Sequence, residues 1–335
     1  MKASAIQGPT TIGVFSASSP ISATVPVRYE RGKHFLEGKG YTVQNGLLYG
    51  KQDGYRSGSI QDRAREFNEL LYQEDVPILM ASIGGMNTNS ILPYLDYEYL
   101  KQHPKIIVGY SDSTALLLAI YAKTGLVTFY GPALAASFGE FPPFVDWTFA
   151  RFEEMITGSI AIPHRLEQPA VWTDEFIPWD QQNHSKTAHA NEWVCVQPGV
   201  CQGRLIGGNL NTMEGIFGTP YMPKLQKGDI LLLEDSLKDA STIERSFSLL
   251  KLAGVFDIVS GIILGKHEQF DDCGTGRAPY EILLEVIGDC PIPILAQFDC
   301  CHTHPMLTLP IGCCVQLDAT NRTVTLLEAP VAFLS

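Results

Sequence analysis

A serine hydroxyl attacks a carbonyl carbon only when a base takes its proton and a third group holds that base in place. The informative residues are therefore serines, histidines and carboxylates set where elements end. Ile106-Ile107-Val108-Gly109-Tyr110-Ser111-Asp112-Ser113, followed by Thr114-Ala115-Leu116-Leu117-Leu118, reads as a β-branched strand, a polar bend and an apolar helix. Such a junction lifts a hydroxyl above the end of a sheet and aims a helix N-terminus at a developing oxyanion. It departs from G-x-S-x-G because Ser113 stands where the second glycine would be, and Ser111 or Ser113 as a simple helix cap is the structural alternative. Leu231-Leu232-Leu233-Glu234-Asp235 ends an apolar strand on a carboxylate, and Leu295-Ala296-Gln297-Phe298-Asp299-Cys300-Cys301-His302 places an imidazole just beyond another. His304 and His267 are alternative bases. Local capping by Glu234 and a hydrogen-bonded structural role for His302 are the plainer readings. Gly84-Gly85-Met86 supplies glycines that let backbone approach a ligand closely, and lacks the G-x-G-x-x-G spacing of a dinucleotide turn.

Cys300-Cys301-His302-Thr303-His304 with Cys313-Cys314 offers the usual zinc donors. However, neighbouring strand residues point to opposite faces and no C-x-x-C pair occurs, so no metal is expected. Eight cysteines without a signal-peptide pattern read as reduced thiols in a cytoplasmic protein. A net charge of −12 with no basic block argues against nucleic acid, and no apolar run long enough to cross a bilayer appears.

The elements that must carry these groups follow from periodicity. Strands are expected at 11–15, 41–43, 77–81, around Ile106 and at 127–130, alternating with helices at 26–36, 60–72, 90–95, 115–123 and 145–156. This alternation predicts a parallel sheet with helices on both faces, an N-terminal α/β domain over residues 1–162. Residues 163–193, with Trp172, Trp179 and a polar run, read as a long loop or interdomain connection rather than a core element, and the two tryptophans argue against disorder. The remainder, 194–335, predicts a smaller strand-rich α/β domain with strands at 204–206, 230–233, 261–264 and 294–296, a hairpin near Asp318-Ala319-Thr320-Asn321, and helices at 241–252 and 279–287. In open α/β sheets ligands gather at the carboxyl ends of strands, where three polar residues leaving three strand ends could converge.

Ile83 to Tyr94, Gly109-Tyr110-Ser111-Asp112, Gly207-Gly208-Asn209-Leu210, Leu233-Glu234-Asp235, Gly265-Lys266-His267-Glu268, and His302 with Thr308-Leu309-Pro310-Ile311-Gly312 together resemble the LD-carboxypeptidase family of serine peptidases, and within it the microcin C immunity branch. The resemblance runs from about Ile12 to beyond Gly312. It implies a Ser111, Glu234, His302 triad, in an active site between an N-terminal α/β domain and a smaller C-terminal one. It also implies an oxyanion hole from the backbone N–H groups of Gly85 or Met86 and of Asp112, no cofactor or metal, and a homodimer. Trp172-Thr173-Asp174-Glu175-Phe176-Ile177-Pro178-Trp179 looks like the immunity branch, in which a tryptophan matching Trp179 stacks on a nucleobase. Lys238 matches a position near the phosphate, and Asn211 and Glu268 match substrate-contacting positions. The implied reaction is hydrolysis of the amide joining an aminoacyl group to a modified nucleotide. Removal of a terminal D-amino acid from a cell-wall peptide, and non-catalytic nucleotide sequestration, are the rivals.

Overall fold

The computed structural model describes residues 1–300 and 302–333. Thr11–Phe15, Thr42–Asn45, Ile78–Ala81, Ile106–Gly109 and Thr128–Tyr130 pair in parallel, in the order Thr42–Asn45, Thr11–Phe15, Ile78–Ala81, Ile106–Gly109, Thr128–Tyr130. The inner strands Ile78–Ala81 and Ile106–Gly109 are buried and apolar on both faces because helices cover both, as the alternation requires, whereas the edge strand Thr42–Asn45 buries only Val43. One departure from the expected all-parallel sheet comes from far away. Leu309–Ile311 adds an antiparallel edge, with Leu309 opposite Tyr130.

The second sheet has eight strands, ordered His164–Arg165, Thr323–Leu326, Cys314–Asp318, Val200–Asn209, Ile230–Glu234, Gly261–Gly265, Ile294–Phe298, Val194–Gln197. Its centre is parallel and its flanks antiparallel. Residues 163–193 contain more order than a loop: a small Val171–Trp172 and His189–Ala190 ladder forms there, and Trp193 is fully buried with its indole N–H on Asp299. Buried residues of both sheets make one continuous apolar cluster. No helix among the described residues is long and apolar enough to cross a membrane.

Two helices matter most for the site. Thr114–Thr124 is apolar around its circumference because it runs between packed layers, and it stops at Gly125, left-handed at φ 72°. Ile60–Tyr72 starts where Ser59 Oγ accepts the Asp62 N–H at 3.1 Å, and its inner face buries Ala64, Phe67, Leu70 and Leu71. That same face carries two charged residues, Arg63 and Glu66.

The Glu66 carboxylate accepts the N–H groups of Ser16 at 2.6 Å and Leu48 at 2.7 Å, yet burial raises its pKa to about 7. Because the folded value exceeds the unfolded one, the folded state holds the proton more tightly, and stability falls as pH rises from about 4.5 to 7. The cost approaches about 3 kcal/mol at the top of that window. Urea unfolding at pH 5 and pH 7.5 should therefore show a decline that flattens in Glu66→Gln; an equal decline in both proteins would remove Glu66 as its cause.

Candidate active site

Strand ends from both sheets meet at a cavity of about 310 Å³ lined by Gly84, Gly85, Met86, Tyr110, Ser111, Trp179, Asn211, Lys238, Glu268 and His302, among others. Ser111 follows the Ile106–Gly109 strand and has φ 59°, a left-handed conformation that costs a non-glycine residue roughly 1–3 kcal/mol. Ser113 has ordinary helical geometry and is buried, so the bend belongs to Ser111. A side chain at Gly84 would put its Cβ 2.9 Å from Ser111 Cβ and 3.1 Å from the Asp112 nitrogen. Only glycine lets the 83–86 backbone lie this close to the serine.

That backbone is fixed from both sides. Asp112 Oδ2 accepts the Asn87 and Thr88 N–H groups, each at 2.9 Å, and the Thr88 hydroxyl at 2.8 Å. Arg63, fully buried, donates to the Asn87 side-chain oxygen at 2.7 Å and to Ser90 Oγ at 3.0 Å. The Met86 N–H donates to Ser18 Oγ at 3.0 Å, whereas the N–H groups of Gly85 and Asp112 meet no acceptor among the described residues. Of the two amides expected on this loop, Met86 is thus already occupied, and its side chain is exposed at the cavity mouth.

Glu234 closes the Ile230–Glu234 strand and is 1% exposed. Its Oε2 accepts His302 Nδ1–H at 2.8 Å; its Oε1 accepts the Tyr130 hydroxyl and the Asn209 side-chain amide, the latter at 3.0 Å. Burial alone would raise this carboxyl, but the His302 charge and the hydrogen bonds from His302, Tyr130 and Asn209 hold it below its usual value. An ionised, buried carboxylate on one imidazole nitrogen leaves the other nitrogen as the acceptor. The alternative histidines lack this arrangement. His267 Nε2 accepts the Lys238 N–H at 3.3 Å, and burial lowers its pKa to about 4; His304 lies 3.7 Å from Glu140 and is lowered to about 3, mainly by burial.

Gly208, at φ 151°, lets the second sheet press on the first: a Cβ there would lie 2.8 Å from Thr114 and 2.9 Å from the Tyr130 ring. Trp179 lines the cavity with the Arg28 guanidinium 4.5 Å from its ring centroid. Beneath it, Arg28, Lys186 and His304 surround the buried Glu140. Asp235, with a pKa raised to about 6 chiefly by burial, accepts the Asn211 N–H at 3.0 Å and lies 3.9 Å from Lys238. Glu268 lines the same cavity, and burial raises its pKa. Eight of the ten residues expected at the site line the cavity, and Glu234 and Asp112 stand behind it. Tyr130, Arg28, Glu140 and Lys186 escape sequence reading; for Tyr130 a hydroxyl at the carboxyl end of a parallel strand is the one available sign. Among the described residues no His, Cys, Asp or Glu group has the makings of a metal site, and Cys301 lies outside them.

Residues 12–131 match the LD-carboxypeptidase N-terminal domain and residues 202–317 the LD-carboxypeptidase C-terminal domain. A putative carboxypeptidase of Vibrio cholerae is 53% identical over 94% of both chains. The microcin C7 self-immunity protein MccF of Escherichia coli is 51% identical over 95% of this chain and 93% of its own. A structure of MccF in complex with aspartyl sulfamoyl adenosine superposes with a TM-score of 0.97, at 49% identity, covering 99% of this chain and 100% of that one. With both family domains matched in order, and half of all residues shared with relatives along nearly the whole length, this chain belongs to the LD-carboxypeptidase family.

Proposed function

We propose that the protein is a serine carboxypeptidase of the immunity type, which hydrolyses the amide between an aminoacyl group and a modified nucleotide. The observation that carries this reading is the Glu234–His302 hydrogen bond at 2.8 Å beside a strained Ser111, in a cavity that also holds Trp179. His302 takes the Ser111 proton as Oγ attacks the acyl carbon. The resulting oxyanion receives the N–H groups of Gly85 and Asp112. His302 then passes the proton to the departing nitrogen, the nucleotide moiety leaves, and water activated by the same histidine releases the acid. Asn211, Lys238 and Glu268 are among the polar groups on the cavity wall available to orient the substrate. The likeness to a protein solved with aspartyl sulfamoyl adenosine supports an aminoacyl nucleotide as the substrate class.

Trp179 is the test of substrate class. Stacking of a base on its ring is worth about 1–3 kcal/mol, so Trp179→Ala should lower kcat/KM on an aminoacyl sulfamoyl adenosine roughly five- to hundredfold and spare a muropeptide. Equal losses on both, with a lowered Tm, would mean that Trp179 only packs against Arg28 and would return the choice to the cell-wall substrate.

A further inference from the structure

We propose that Tyr130 is a positioning residue that ties the acid of the catalytic trio to the main chain of its nucleophile. This rests on the roles given above to Ser111, Glu234 and His302. Tyr130 ends the Thr128–Tyr130 strand and is fully buried. Its hydroxyl accepts the Ser111 N–H at 3.2 Å and donates to Glu234 Oε1. Glu234 uses its other oxygen for His302. One hydroxyl therefore spans the two sheets: Tyr130 and Ser111 come from the first, Glu234 and His302 hang from the second. The direction of the bond is fixed, because burial and the Glu234 charge hold the phenol far above its ordinary pKa and keep its proton in place. The ring has no freedom to turn away, since Gly208 packs against it so tightly that a Cβ would lie 2.9 Å from its edge.

Two consequences follow. The hydroxyl holds the amide of a residue whose φ of 59° has little intrinsic preference for that shape. It also shares the Glu234 charge, so the carboxylate stays ionised and aimed at His302 while the imidazolium forms. Asn209 alone would remain on Oε1 if the hydroxyl were absent.

The experiment is Tyr130→Phe, which keeps the ring. Loss of one charge-assisted hydrogen bond should lower kcat roughly 10- to 100-fold with KM within twofold. The acid limb of kcat/KM should move up by about half a pH unit, because a carboxylate with one donor fewer binds a proton more tightly and attracts the imidazolium proton more strongly. In a Glu234→Gln background the same change should cost several-fold less than in the parent, since the share that runs through the carboxylate is gone and only the hold on the Ser111 amide is left to lose. The rate at which a fluorophosphonate labels Ser111 should fall in parallel; this readout needs no knowledge of the substrate, so a mistaken substrate class leaves it intact. Should Tyr130→Phe fail to fold, 3-fluorotyrosine at 130 keeps the shape, donates more strongly and should move the acid limb down instead. A kcat within twofold of the parent with an unmoved limb, or an undiminished loss in the Glu234→Gln background, overturns the proposal.

Discussion

Ser111→Ala should leave hydrolysis lower by a factor on the order of 10⁴–10⁶, and His302→Ala should do the same, with the double variant no worse than either. The reason is that nucleophile and base work as one unit: an alkoxide does not form without the imidazole, and the imidazole has nothing to deprotonate without the hydroxyl. Glu234→Gln should be severe for a different reason. Oε1 accepts Tyr130 and Asn209 and Oε2 accepts His302 Nδ1–H, so no amide NH₂ fits either place without a donor facing a donor. If the NH₂ faces His302, the imidazole must turn its proton to the other nitrogen and lose its basic site, a loss on the order of 10³–10⁴. Steady-state kinetics with Tm measured alongside checks all three. Ser111→Ala activity within tenfold of the parent would remove the nucleophile assignment. Retention of antibiotic protection by Ser111→Ala would favour a sequestering module over an enzyme.

Glu140→Ala should produce the largest fall in stability, about 3–5 kcal/mol. Burial would raise this carboxyl, but His304, Lys186 and Arg28 outweigh it and hold it at about 2. His304, lowered to about 3, is neutral at pH 7, which leaves Arg28 at 3.1 Å and Lys186 at 3.4 Å as the cations that Glu140 balances. Both cationic side chains are almost wholly buried, so removing the carboxylate strands two charges away from water. Because the folded pKa lies below the unfolded one, this stabilisation is present above about pH 4.5 and fades as pH falls toward 2. Urea midpoints for Glu140→Ala and for an apolar double replacement, Arg28→Met with Glu140→Met, make the comparison. The double variant should recover part of the loss, and a single-variant effect below about 1 kcal/mol would show that the group is solvated.

Periodicity and caps made the helices legible. Ile60–Tyr72 and Pro279–Ile287 carry their own start signals, in Ser59 and Pro279, and their expected bounds coincide with those found. Tyr97–Gln102 carried a signal as well, in Asp96 three residues before Tyr99, but it is too short for its apolar spacing to show. Leu309–Ile311 had no local sign at all, because three residues acquire strand character only from the edge they join. At the site, the residue types of the trio stood at readable strand ends. The choice of Ser111 over Ser113 turns on a dihedral angle, and the choice of His302 over His267 and His304 on a carboxylate 68 residues away in sequence. Tyr130 and Arg28 read as ordinary core and surface positions, since their partners lie in segments that only the fold brings near.

The edge strand Leu309–Ile311 also sets a timetable for a chain emerging from the ribosome. Until those residues are translated, Thr128–Tyr130 presents an open edge, and the sheet that carries Ser111 is exposed to pairing with other nascent chains. His302 arrives only shortly before. A truncated product ending before residue 302 would combine a bared sheet edge with a cavity lacking part of its wall, a combination suited to clearance by quality control rather than to partial function.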